Sequence, residues 1–350
     1  MCAFPGPPDY VIWEVTLRCN LRCAHCAASA GRPRVGELDQ REALSVVDQL
    51  IELGVPAVAL MGGEVLLRRD WPVIAQRLIA GGTAVGVITN GMLFTEKTLS
   101  LVKDLGVVQV GVSLDGPMGV HDRIRGVKGA FDRVMRVLDL VRDSDLMYKT
   151  VITSVNRTNF QYLDDILRIL LMRAPGFTWM INMTSIHEFT RMESNNMLGQ
   201  AQFIELARFI GENRRKYRDT LTITATDDMG YFSNIFGQLH ETEWKGCQAG
   251  IGTLGIRSNG DVTGCSILPD QFIEGNVRQR RLKEIWQDPD CCAYNRRFTR
   301  DKLAGICRDC EYGDLCRGGC RDHALAWTGN MYEYPFCLHD LEKKGIIGGK

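Results

Sequence analysis

From residue 11 to about residue 226, short runs of β-branched and apolar residues alternate with longer segments whose apolar positions recur every three to four residues. The runs VIWEVT (11–16), VPAVALM (55–61), TAVGVIT (83–89), VVQVGVSL (107–114), YKTVITSV (148–155), FTWMINM (177–183) and LTITAT (221–226) predict strands. Helices are expected between them, near 39–53, 71–80, 95–104, 129–143, 159–173 and 199–217. Apolar strands joined through helices make a parallel sheet covered by helices, and right-handed crossovers would curl six such units into an open barrel. A complete eight-unit barrel takes about 250 residues. The shorter stretch here predicts an α/β fold, a partial (β/α)6 TIM-like barrel over residues 1–230. In such folds ligands sit at the carboxyl ends of the strands, where the segments after strands 1 and 2 fall.

Beyond about residue 231 the texture changes to short segments rich in glycine, cysteine and charge, which predicts a small cysteine-rich domain over 231–350 that depends on covalent or metal staples. Within it, RLKEIWQDP (281–289) reads as a packing helix.

Composition narrows the function. With 42 basic and 42 acidic residues among 350, no net field draws the chain to nucleic acid or to an anionic membrane. The opening MCAFPGPPDYVIWEVT has no basic segment followed by an apolar run, and no later stretch stays apolar for 18 residues, so a soluble, cytoplasmic protein is expected. In a chain of this length the thirteen cysteines point to thiolate ligands rather than disulfides. After Cys2 they fall into one group at 19–26 and a second set from 247 to 337.

The first group, Cys19-Asn-Leu-Arg-Cys23-Ala-His-Cys26, has the spacing C-x3-C-x2-C. Three thiolates on one short loop can hold three irons of a [4Fe–4S] cube and leave the fourth open. A zinc loop is the alternative, for which His25, wedged between two of the cysteines, is an awkward fourth donor.

At these residues the sequence resembles the radical S-adenosylmethionine (SAM) enzymes, whose signature is this spacing after the first barrel strand. MGGEV (61–65) resembles the family's Gly-Gly-Glu element, which assigns Gly62, Gly63 and Glu64 to the SAM amino group through their backbone. TNG (89–91) puts Asn90 at the common end of strand 3, and Ser113 and Asp115 in VSLDG match positions that face the SAM ribose. His25 stands where an aromatic residue often lies near the adenine, and Arg125 in HDRIRG suits the SAM carboxylate. Val65 departs from the family, which commonly has proline there.

Cys247, Gly260, Cys265, the run Cys307-x2-Cys310-x5-Cys316-x3-Cys320, and Cys337 resemble the SPASM domain found on radical SAM enzymes that modify peptides, proteins and some metabolites. A zinc ribbon is the alternative for the dense part, but it leaves Cys247, Cys265 and Cys337 unused. By the family pattern Cys307, Cys310, Cys316 and Cys337 hold an outer auxiliary cluster, and Cys247, Cys265 and Cys320 an inner one. The cofactors so implied are SAM and three [4Fe–4S] clusters. The stretch HETEWKG (240–246) before Cys247 has no fourth cysteine. The inner cluster is therefore expected to have a non-cysteine or vacant site, filled by an oxygen ligand such as Glu241 or Glu243, by Cys291 or Cys292, or by the substrate.

The activity implied is reductive cleavage of SAM to a 5′-deoxyadenosyl radical that removes a substrate hydrogen atom, with a reductase such as flavodoxin or ferredoxin as partner. Asp227 and Asp228, after the strand at 221–226, are candidate proton acceptors, though adjacent acids there also suit a solvated turn. Cys291 and Cys292 are candidate hydrogen-atom donors, or small buried apolar residues. Oxidation or cross-linking of a ribosomal peptide or protein is expected first. The alternatives are a dehydrogenase or epimerase of a small metabolite such as an aminosugar, a tetrapyrrole decarboxylase, or a non-catalytic iron–sulfur or zinc protein. The last has no use for the Gly-Gly-Glu and Ser-Leu-Asp-Gly elements. Only about ten residues precede strand 1, so no fused leader-peptide-binding domain is expected, which slightly weakens the peptide reading.

Overall fold

In the computed structural model, residues 6–187, 190–229 and 232–348 are described. The expected alternation appears element by element: β1 (Tyr10–Thr16), α1 (Gln40–Leu53), β2 (Ala57–Gly62), α2 (Trp71–Ala80), β3 (Ala84–Thr89), α3 (Glu96–Leu105) and β4 (Gln109–Ser113). Then come α4 (Met118–Arg125), α5 (Ala130–Arg142), β5 (Tyr148–Val155), α6 (Leu163–Arg173), β6 (Thr178–Met183), α7 (Gln200–Lys216) and β7 (Thr222–Ala225). Helix boundaries follow local chemistry. Asp39 and Glu42 form a reciprocal capping box at the start of α1, and Gly54, at φ 78°, ends it in the left-handed conformation.

Strands β1 to β7 lie side by side in chain order, all parallel. The two faces of this curled sheet divide the residues. On β6, Trp179, Ile181 and Met183 are buried in the core, whereas Thr178, Met180 and Asn182 line a central cavity. β5 follows the same rule, with Thr150, Ile152 and Ser154 facing the cavity. The inward positions are therefore partly polar, which a filled structural barrel would not require.

The C-terminal region adds what the sequence pattern did not predict: β8 (Thr253–Ile256), β9 (Asp261–Thr263) and β10 (Ile273–Asn276) continue the same sheet. β8 pairs in parallel with the free edge of β1, Val11 opposite Leu254, and β9 and β10 follow antiparallel, giving one ten-stranded sheet in the order β10-β9-β8-β1-β2-β3-β4-β5-β6-β7. The boundary expected at 230/231 lies outside the described residues, and the two regions share a sheet across it. Five short helices complete the chain: α8 (Leu282–Gln287), within the expected packing segment, α9 (Ala293–Arg296), α10 (Gly313–Cys316), α11 (Arg321–Thr328) and α12 (Leu338–Lys343). Among the described residues no helix is long and apolar enough to cross a membrane.

Candidate functional site

The loop after β1 carries Cys19, Cys23 and Cys26, and all three thiols are free and line one end of a cavity of about 780 Å3. Backbone N–H groups fix two of them: Leu21 donates to Cys19 Sγ at 3.4 Å and Ala30 to Cys26 Sγ at 3.3 Å. Asn90 Nδ2 reaches Cys19 Sγ at 3.7 Å from the end of β3, and Arg125 Nη1 reaches Cys23 Sγ at 3.7 Å from α4. Burial pushes the Cys19 thiol up to about 11, with smaller contributions from Cys23, Glu64 and Cys26, and burial also raises Cys23. Such thiols hold their protons at neutral pH unless a cation replaces them.

Gly62 and Gly63 line the same end of the cavity. A Cβ on Gly62 would run into the Thr16 carbonyl, and one on Gly63 into those of Leu17 and Arg18, because Gly63 and Glu64 N–H groups donate at 2.8 Å to Thr16 O and Arg18 O. Glu64 turns away from the cavity: it is 1% exposed and accepts from Thr89 Oγ1 and the Asn90 N–H, both at 2.8 Å, so its side chain locks the ends of β2 and β3 together.

Asp115 departs from expectation. It is fully buried and is not among the residues that line the cavity. It pairs with Arg125 Nε at 2.7 Å, accepts from Ser154 N–H at 3.1 Å and lies 3.6 Å from His25 Nε2. Ser113, His25 and Arg125 do line the cavity. The guanidinium is thus held by a buried carboxylate, a positioning role for Asp115. Desolvation drives His25 down to about 4, against the pull of Asp115, so its imidazole is neutral at pH 7. Arg191 was not anticipated: it clasps the cysteine loop by donating to Cys23 O at 3.1 Å and to Ser29 O and Ala30 O at 2.6 Å.

The same cavity is lined further by Cys247, Cys265 and Cys320, with Asp227, Asp228, His240, Glu241 and Arg321. Burial raises the Cys265 and Cys320 thiols, and Asp322 beside them adds to the shift. Asp228 is buried and committed: Thr226 Oγ1 donates to its Oδ1 at 2.5 Å, Met183 N–H donates to its Oδ2, and His323 Nε2 lies 3.3 Å away. Asp227 opens onto the cavity, yet enough protein surrounds it for desolvation to push its carboxyl up to about 6, with His240 opposing and Asp228 adding.

A separate cavity of about 280 Å3 is lined by Cys307, Cys310, Cys316 and Cys337, with Phe232, Tyr312 and Tyr334. Burial raises Cys307, takes Cys316 to about 11 and takes Cys337 to about 12. Of the ten motif cysteines, six thus line the central cavity and four the separate one.

Spacing bears on whether one ion or a cluster suits these cysteines. Thiolates on a single tetrahedral zinc lie about 3.8 Å apart, given Zn–S bonds of about 2.3 Å. Among the described residues, the group whose ligand atoms all come within 4.8 Å of one another is Glu274, Cys291 and Cys292, not any of these three sets. Cysteines that share a cavity but stand too far apart for one ion suit a multi-iron core. Cys291 and Cys292 do not line the central cavity; Cys292, at φ 52°, packs its Sγ against Gly250 and Gly264.

Comparison with known proteins agrees with this geometry. The profile of the Radical SAM superfamily matches residues 13–170, and that of an iron–sulfur cluster-binding domain, SPASM, matches residues 247–311. The AdoMet-dependent heme synthase of Nitratidesulfovibrio vulgaris is 30% identical over 350 residues, covering 94% of this chain and 92% of that protein. The PqqA peptide cyclase of Rhizobium meliloti is 28% identical, covering 95% and 87%. Among solved structures, Streptococcus suis SuiB bound to S-adenosylmethionine superposes with a TM-score of 0.74 at 16% identity, covering 95% of this chain and 77% of that one.

Proposed function

The chain belongs to the radical SAM superfamily and carries a SPASM iron–sulfur cluster-binding domain, and from that premise we propose that it oxidises or cross-links a residue of a peptide or protein, using three [4Fe–4S] clusters. When bound, SAM and the cluster at Cys19, Cys23 and Cys26 supply a 5′-deoxyadenosyl radical that removes a hydrogen atom from the substrate.

The chain's own residues do the rest. Gly62 and Gly63 offer backbone at a distance no side chain would permit, and Arg125, held by Asp115, presents a fixed positive charge for a carboxylate. Neutral His25 offers an uncharged ring face at the same end of the cavity. Asp227 takes the proton released as the substrate is oxidised, since a carboxyl raised to about 6 is ionised at pH 7 but close enough in affinity to accept. Asp228 holds the end of β6 rather than reacting. The observation that carries the peptide reading is the pair of acids open to the cavity: Asp227 and Glu241 suit an amide, amine or hydroxyl group. The peptide-cyclase relative supports the same class.

A second reading, action on a tetrapyrrole, is favoured by the heme-synthase relative, which matches this chain over nearly the whole of both. Against it stand the two acids open to the cavity, Asp227 and Glu241, which carboxylates of a tetrapyrrole placed beside them would meet. The test is SAM cleavage and product formation by the reconstituted protein. Activity on candidate peptides encoded nearby, without turnover of an iron porphyrin carboxylate, is the expected result; the reverse would replace the peptide reading. Cys23→Ala is expected to abolish SAM cleavage, and cleavage at the parent rate would refute the cluster role of this loop.

A further inference from the structure

We propose that Asp322 is the fourth ligand of the inner auxiliary cluster, closing the iron that Cys247, Cys265 and Cys320 leave without a thiolate. The inference rests on the cluster reading of those three cysteines and names the group that completes it.

Asp322 stands two residues after Cys320, at the start of α11, and lines the central cavity together with all three cysteines. It is 2% exposed. Its Oδ1 lies 2.7 Å from His187 Nε2, whereas its Oδ2 is buried without a hydrogen-bond partner. A buried carboxylate oxygen left without a donor is unfavourable unless a positive group faces it. The wall on which it stands also carries Cys247, Cys265 and Cys320. Three thiolates and a carboxylate on one cavity wall carry more negative charge than Arg321 beside Cys247 and Cys320 offsets, and an iron core between them removes the conflict. The histidine on the remaining oxygen is the arrangement by which ligating carboxylates are oriented.

The other candidates are worse placed. Glu241 and Asp227 line the cavity but are open to water within it, and Asp228 already accepts hydrogen bonds on both oxygens. Glu243 is exposed, and neither it nor the Cys291–Cys292 pair lines the cavity.

The test uses the full chain carrying Cys19→Ala, Cys23→Ala and Cys26→Ala, reconstituted anaerobically, so that iron content, EPR and Mössbauer spectra report the auxiliary clusters alone. About eight irons are expected, four per cluster. A count near four would mean that the inner cluster itself is absent, and the cluster reading would fall with the ligand assignment. Adding Asp322→Ala is expected to change the inner-cluster EPR signal and, on mild oxidation, to release about one iron in four from that cluster. Asp322→Cys is expected to restore the full count with an all-thiolate signal; should the alanine variant not fold, this change of signal carries the test. Spectra unchanged from the parent in both variants would overturn the proposal, as would loss of the inner cluster in Cys291→Ala or Cys292→Ala with Asp322 intact.

Discussion

Two buried charges, Asp115 and Arg125, decide whether the cavity beside the cysteine loop at 19–26 holds its shape. Asp115 is fully buried and Arg125 is 8% exposed, so each is the other's main compensation for lost solvation. Arg125→Ala is expected to destabilise the protein by about 3–5 kcal/mol in urea denaturation, because it strands a carboxylate in the interior. A loss below about 1 kcal/mol, the range of an exposed pair, would show that water reaches Asp115. Asp227 gives a test of the chemistry. Desolvation sets its carboxyl near 6, so a proton acceptor at this position is ionised above that pH and neutral below it. Product formation should therefore fall as pH drops through about 6, and Asp227→Asn should lower the rate and remove that limb. A parent-like pH profile in the asparagine variant would place the proton acceptor elsewhere. Much of this scale was legible in the sequence: the ten motif cysteines line two cavities, six in one and four in the other, and the glycines after β2 stand where two loops nearly touch. The inward turn of Glu64 and Asp115 was not, because a spacing such as Ser-x-Asp fixes the order of residues and not which side chain a neighbouring arginine will claim.

Among the elements, the seven parallel strands and the helices between them were predictable, since each strand is a compact β-branched run and each helix carries an apolar stripe. β8, β9 and β10 escaped for the opposite reason. They are four, three and four residues long, set among glycines, and β8 gains its partner from β1 more than 240 residues away. Helix α4 was likewise missed, a short segment whose buried face includes His121 and Arg125 rather than aliphatic residues alone. The junction of β1 and β2 with their following loops is where element geometry meets function. Gly63→Ala would push the carbonyls of Leu17 and Arg18, and with them the loop that begins at Cys19. Overpacking of this kind costs about 1–3 kcal/mol. SAM binding, measured by equilibrium dialysis on the reconstituted protein, is expected to weaken by about tenfold or more. An unchanged dissociation constant would mean that the loop relaxes without disturbing the pocket.

The ten-stranded sheet takes strands from both regions of the chain. Glu14 on β1 ties three regions at once: it accepts from Ser258 N–H at 3.1 Å and Ser258 Oγ at 2.7 Å, just after β8, and from Arg34 Nε at 3.0 Å beyond the cysteine loop. Leu38 N–H donates to Ser258 O at 2.7 Å, and Arg278, after β10, bridges to Glu42 on α1. This coupling bears on the site, because Cys19, Cys23 and Cys26 and the later Cys247, Cys265 and Cys320 line one cavity whose walls come from both regions. A chain ending at residue 246 would expose the edge of β1 as a row of unpaired N–H and C=O groups and leave the Glu14 carboxylate without its serine partner. That fragment is expected to aggregate or to be cut rapidly by protease. In the full-length protein, hydrogen exchange should show the amides of β1, β2 and β8 opening together as one cooperative unit. If β8 to β10 exchanged early while β1 stayed protected, the two regions would be independent domains that merely touch, and the shared cavity would lose its rigid frame.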